Sequence, residues 1–141
     1  MKVKMKRLTE EATIPSYSRI GDAALDLTAT SFFIEKDCYV YGTGIAVEIP
    51  EGHVGLIFPR SSLSNYDLML SNHVGVIDSN YRGELIVKFK KIKETRFNKL
   101  YLIGDRIGQL LIVPCPAVEV CLVEELSSTN RNTNGFGSSG R

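Results

Sequence analysis

The sequence predicts an all-β fold of the sandwich or barrel kind, and three observations carry that prediction. Apolar and polar residues alternate at a period of two along several segments, as half-buried strands require. Clusters of Gly, Pro, Asn and Ser separate those segments at short intervals, the rhythm of sandwiches and barrels. A helical pattern occurs only at residues 61–70, where Leu63, Tyr66, Leu68 and Leu70 share a face behind a Ser cap.

The first strand is expected around Val3 and Met5, which alternate with Lys2, Lys4 and Lys6. Residues 22–28, DAALDLT, read as a strand with Asp26 among apolar neighbours. Further alternation follows in Ile45, Val47 and Ile49, in Val54, Leu56 and Phe58, and in Leu85, Val87 and Phe89. A strand ending at Pro114 and another carrying Val118, Val120 and Leu122 complete the set. Turns are read at residues 42–44, 50–52, 79–83, 98–99 and 114–116.

A chain of 141 residues, 43% of them hydrophobic, supports one domain with a real core. Seventeen Lys and Arg against 16 Asp and Glu leave a formal charge of +1, which argues against a nucleic-acid coat or an acidic decoy. Apolar runs such as residues 110–113 fall far short of the roughly 20 residues that span a bilayer. The N-terminus alternates Lys with apolar residues and does not read as a secretory signal, so a cytoplasmic, intracellular protein is expected. Cys38, Cys115 and Cys121 lack close pairing and are expected to be buried, reduced thiols.

Beyond Leu126 the composition changes. Residues 127–141 hold twelve Gly, Ser, Thr or Asn, one Phe and two Arg, which divides the chain into a core of residues 1–126 and a flexible tail of residues 127–141. A lone Phe136 between Gly135 and Gly137, with Arg131 upstream, suggests a tail that orders on a ligand.

Five segments point to one nucleotide site, each with an ordinary structural explanation beside the functional one. Asp26 suits a hydrogen-bonded strand residue, or a carboxylate facing a hydrated Mg2+. PRSSLS at residues 59–64 suits a simple cap, or a phosphate held by Arg60, Ser61, Ser62 and backbone N–H groups. Residues 72–84, NHVGVIDSNYRGE, form a hairpin whose turn chemistry explains Asp78, Tyr81 and Gly83; alternatively Asp78 edges a pocket and Tyr81 packs on a sugar. In GDRIGQ, residues 104–109, Asp105 and Arg106 fix a turn while Gln109 offers its amide to a ligand. In the tail, Arg131 can clamp a phosphate and Phe136 can stack on a base.

Taken in order and at these separations, the five segments resemble the five motifs of the trimeric dUTPases, from about Asp22 to the final residue. GVIDSNYRGE with PRSS upstream and GFGSSG at the terminus is the specific combination. The resemblance implies a jelly-roll-like fold whose C-terminal strand and tail are exchanged in a homotrimer. It implies hydrolysis of dUTP to dUMP and pyrophosphate with Mg2+. Asp78 then corresponds to the general base that also meets the 3′-hydroxyl, and Tyr81 to the residue beneath deoxyribose. Asn72, Gly75, Val76, Ile77 and Ile86 correspond to the uracil slot, Arg60, Ser61, Ser62 and Gln109 to the triphosphate contacts, and Asp26 to the contact with metal-bound water. Arg131 corresponds to the γ-phosphate clamp, and Phe136 and Gly137 to the lid.

Three positions depart from the family pattern: Ser62 where Gly is common, residues 132–134 where the stretch is Gly-rich, and Gly108 where Ala is common. Two other readings compete. The dCTP deaminases share the fold and an RSS element but place a catalytic Glu on the strand after the hairpin, where this chain has LIVK at residues 85–88. A regulatory module would use the basic run at residues 88–99, which reads more simply as exposed Lys on edge strands.

Overall fold

The computed structural model describes residues 1–92 and 99–134. Its strands in chain order are β1 (Lys4–Arg7), β2 (Leu25–Thr28), β3 (Ser31–Glu35), β4 (Cys38–Glu48), β5 (His53–Phe58), β6 (Leu68–Leu70), β7 (Gly75–Ile77), β8 (Glu84–Lys91) and β9 (Arg106–Pro114). They form two antiparallel sheets, one ordered β1-β4-β8-β6 with β3 also on β4, the other ordered β2-β9-β5-β7. The expected all-β, two-sheet architecture is therefore present. No helix among the described residues is long and apolar enough to cross a membrane.

Sheet composition follows from the side chains. In β4 the run from Tyr39 to Val47 is buried throughout, as in a strand covered on both faces. In β8 Leu85, Val87 and Phe89 are buried while Ile86, Lys88 and Lys90 are exposed, so one face meets the core and one meets solvent. Gly44 allows β4 to bend where its register with β8 shifts: its φ is +64°, and a Cβ there would sit 2.8 Å from the Ala12 side chain.

The core joins Leu27, Tyr41, Ile45, Leu85, Phe89, Ile107 and Leu110. Tyr41 meets Phe89 edge-on at 5.9 Å and donates its hydroxyl to the Tyr101 carbonyl at 3.1 Å. Burial nevertheless pushes the Tyr41 phenol up to about 12. A pKa raised on folding adds stability that is complete below the unfolded value of 10.0 and disappears as pH climbs through 12. That difference corresponds to about 3 kcal/mol. Thermal midpoints followed across this alkaline window are expected to fall steeply in the parent protein and less steeply in Tyr41→Phe.

Four expectations are corrected. The helix is a 3₁₀ turn at Ser61–Asn65 with Arg60 as its extended N-cap, and Leu68–Leu70 is strand β6 because Leu68 and Leu70 bury on one face beside β8. Residues 72–84 do not form a two-stranded hairpin: β7 pairs with β5 and β8 with β4 and β6, so this arm crosses between sheets. Val118, Val120 and Leu122 are 80%, 89% and 97% exposed and lie in no strand, because none of the described strands pairs with this segment. The cysteines are free as expected, but Cys115 and Cys121 are exposed on that same segment and Cys38 is only half-buried.

Candidate active site

Two concave regions gather the candidate residues. The first is a cleft of about 370 Å³ on the second sheet. Its floor is a row across three strands, because Asp26 in β2 stands opposite Gln109 in β9, which stands opposite Phe58 in β5. Immediately after Phe58 the chain turns through Pro59 and Arg60 into the 3₁₀ turn, and this brings Arg60 and Ser61 to the rim. The Gln109 amide donates to the Pro59 carbonyl at 3.1 Å, tying the floor to that turn.

Asp26 is the electrostatic centre of the cleft. Its side chain is only 16% exposed, and its carboxylate accepts Arg60 Nε at 3.0 Å and Arg106 Nη1 at 2.9 Å. Arg106 Nη1 also reaches Ser18 Oγ at 3.1 Å. Two guanidiniums thus share one carboxylate, which leaves this cluster with an excess positive charge suited to an anion.

Sequence reasoning missed Arg106 as part of this cluster and assigned it to the turn. Of the two, only Asp105 bonds within the turn, its carboxylate accepting the Leu102 N–H at 2.8 Å. Strict alternation would place Arg106 and Gln109 on opposite faces. The register of β2 with β9 shifts between Leu27 and Thr28, so that Ile107 and Gly108 are both buried and Arg106 emerges beside Gln109. A bulge of this kind leaves no clear mark in apolar periodicity.

The second region is a slot of about 300 Å³ under the arm. Asn72, Gly75, Val76, Ile77 and Ile86 all line it. His73, with φ at 60°, makes the tight bend that follows Asn72 and turns the chain into β7. Asp78 is exposed at the tip directly after β7, and its carbonyl accepts the Tyr81 N–H at 3.1 Å. The Tyr81 ring lies back over Gly83 and its hydroxyl donates to the Glu84 carbonyl at 2.9 Å. A Cβ at Gly83 would occupy the space of Tyr81 Cζ, 2.5 Å away.

Cleft and slot share no lining residue. Phe58 belongs to the first and its neighbour Ile57 to the second, so β5 presents them on opposite faces. Ser62 is half-buried and lines neither region. Arg131 donates to the Asn134 carbonyl at 3.0 Å, within its own tail, and is not brought to the cleft. Phe136 and Gly137 lie outside the described residues.

The dUTPase family profile matches residues 10–140 of this chain. The chain belongs to the dUTPase family. A dUTPase named deoxyuridine 5′-triphosphate nucleotidohydrolase from Hydrogenobaculum sp. is 39% identical over 146 residues, 99% of each chain. Its namesake from Corynebacterium diphtheriae is 41% identical over 98% of this chain and 92% of its own. Among solved structures, the Staphylococcus bacteriophage 80alpha dUTPase with dUPNHPP superposes with a TM-score of 0.84 at 31% identity, covering 99% of both chains. A mutant dUTPase from phage phi11 of S. aureus, described with a coordinated structural Mg(II) ion, gives 0.73 at 28% identity over 89% of this chain and 98% of its own.

Proposed function

We propose that this chain is a dUTP diphosphatase that hydrolyses dUTP to dUMP and pyrophosphate. The observation that carries this reading is the convergence of Asp26, Arg60, Ser61 and Gln109, distant in sequence, on one cleft that suits a triphosphate, with Arg106 paired to Asp26 beside it. The slot beneath the arm accepts a flat base, read by the main chain of residues 75–77, with Asn72 and Ile86 at its walls.

In this reading Asp78 is the general base. Its exposed carboxylate takes a proton from water as that water attacks the α-phosphorus, while Tyr81 packs beneath deoxyribose and blocks a 2′-hydroxyl. Arg60 exchanges part of its hold on Asp26 for phosphate oxygens, and Ser61, the Ser62 backbone and Gln109 complete the cradle. Arg131 reaches the γ-phosphate, and Phe136 and Gly137 close over the base, so residues 127–141 act as a lid on a core of residues 1–126.

Mg2+ fits this donor set in one way. Among the described residues no three acidic, His or Cys side chains cluster as a cage, and both oxygens of Asp26 already accept guanidinium bonds. Such a site suits a hydrated ion carried on the phosphates and reached by Asp26 through water. When bound, Mg2+ would neutralise phosphate charge.

A homotrimer completes the site. One chain keeps its cleft and slot on opposite sides of β5, so a nucleotide that fills both needs more than one copy. The exposed alternation of Val118, Val120 and Leu122 matches a groove of about 480 Å³ lined by Val3, Met5, Ile14, Leu25 and Ile112. Seating one chain's segment in the next chain's groove would cover both apolar surfaces.

Glu84, the acid nearest the strand position used by deaminases, accepts the Gly44 N–H at 2.7 Å and is committed to the fold. Lys88 pairs with Glu35 at 2.5 Å and Lys90 with Asp37 at 3.3 Å, while Lys91 and Lys99 lie over the Tyr39 and Tyr66 rings, so the described lysines of the basic run are engaged within the fold. Residues 93–98 of that run lie outside the described residues.

Pyrophosphate release measured with dUTP, dTTP, dCTP and UTP, with Mg2+ and with a chelator, tests the assignment. Release from dUTP alone is expected; ammonia release from dCTP would overturn it. Gly83→Ala is expected to displace the Tyr81 ring and raise the dUTP KM about tenfold, with relatively better use of UTP, as steady-state kinetics would show.

A further inference from the structure

Arg106 does not line the cleft, yet it bonds two residues that do. Its Nη1 donates to Asp26 Oδ2 at 2.9 Å and to Ser18 Oγ at 3.1 Å, and both Asp26 and Ser18 are lining residues. One nitrogen on β9 therefore ties β2 to the segment that precedes it. The same two parts meet again through the backbone, where the Asp26 N–H donates to the Ser16 carbonyl at 3.0 Å.

The charges of the lining show what this group contributes. Asp22 and Asp26 face the cleft against a single guanidinium, that of Arg60. Two carboxylates against one cation repel a polyanion at close range. Arg106 cancels one of them from outside the cleft, where it takes none of the ligand's space.

The two arginines also hold Asp26 differently. Arg60 donates through Nε to Oδ1 at 3.0 Å, the one hydrogen bond its side chain makes among the described residues, and it stands at the extended N-cap of the 3₁₀ turn. Arg106 is fixed in β9 by strand pairing and anchored a second time on Ser18. Asp26 is largely buried, so a carboxylate there is unfavourable without a cation. With Arg106 in place it keeps a partner when Arg60 turns away; without Arg106 it has only Arg60, and holds it back.

We propose that Arg106 is a positioning residue that holds and neutralises Asp26 so that Arg60 can turn to the triphosphate. Arg60 then exchanges one carboxylate oxygen for phosphate oxygens without leaving a largely buried charge unpaired. This rests on the reading of the cleft as the triphosphate site.

The test measures binding of a non-hydrolysable dUTP analogue and of deoxyuridine, beside steady-state kinetics, in full-length Arg106→Gln, Arg106→Lys, Asp26→Asn, the Arg106→Gln/Asp26→Asn double variant and Arg60→Gln. Arg106→Gln is expected to weaken the analogue and raise the dUTP KM about 10- to 30-fold, with kcat within about threefold and deoxyuridine binding unchanged. A general structural defect would weaken deoxyuridine as well. Because a single nitrogen makes both bonds, Arg106→Lys should recover most of the affinity. Removing the Asp26 charge makes Arg106 dispensable, so the double variant should bind the analogue no worse than about twofold below Asp26→Asn alone. Its charges balance, and it supplies this comparison even if Arg106→Gln folds poorly. Parent-like affinity in Arg106→Gln beside a loss in Arg60→Gln would overturn the role of Arg106, as would losses that multiply in the double variant. Parent-like affinity in Arg60→Gln would overturn the reading of the cleft, and the role of Arg106 with it.

Discussion

Asp78→Asn is expected to lower dUTP turnover by about 10²- to 10⁴-fold while nucleotide still binds. The amide keeps the size and hydrogen-bonding reach of the carboxylate but cannot take the proton from the attacking water. Binding is expected to survive because the slot and the cleft proposed to hold base and phosphates are lined by other residues. Single-turnover kinetics beside direct binding of a non-hydrolysable dUTP analogue separates these effects. Parent-like turnover in the variant would remove Asp78 from the chemistry.

The second large effect is expected from truncation. Removing residues 127–141 should cut kcat/KM by about 100-fold or more, since the lid role proposed for them is to exclude water and align the α-phosphate. Assembly should survive, because the apolar residues proposed to hold neighbouring chains, Val118, Val120 and Leu122, are retained. Truncation after Pro114 should instead dissolve the proposed trimer, leaving the apolar groove around Val3, Met5 and Leu25 uncovered. Sedimentation of both truncated forms beside the parent distinguishes the two roles. Loss of assembly in the shorter deletion would make the tail structural and the lid account wrong.

Much of the site was legible because its residues carry chemistry that apolar strands do not need. Asp26, Arg60, Ser61 and Gln109 interrupt or end strands, and each reaches the cleft. Asn72, Gly75, Val76, Ile77 and Ile86 likewise meet around one slot. Arg106 was not legible, because its direction depends on a bulge that adds one inward residue to β9.

Strand rhythm, the scarcity of helix and the family were already written in the order of residues, since these rest on periodicity and on local motifs that survive any arrangement in space. Folding in three dimensions was needed to decide that residues 68–70 pair in a sheet, that the arm joins both sheets, and that the 118–122 alternation has no partner inside its own chain. Backbone pairing and burial are non-local, which is why these features escape a linear reading. An alternating segment specifies two faces, but only a neighbouring edge or surface decides whether either face is covered.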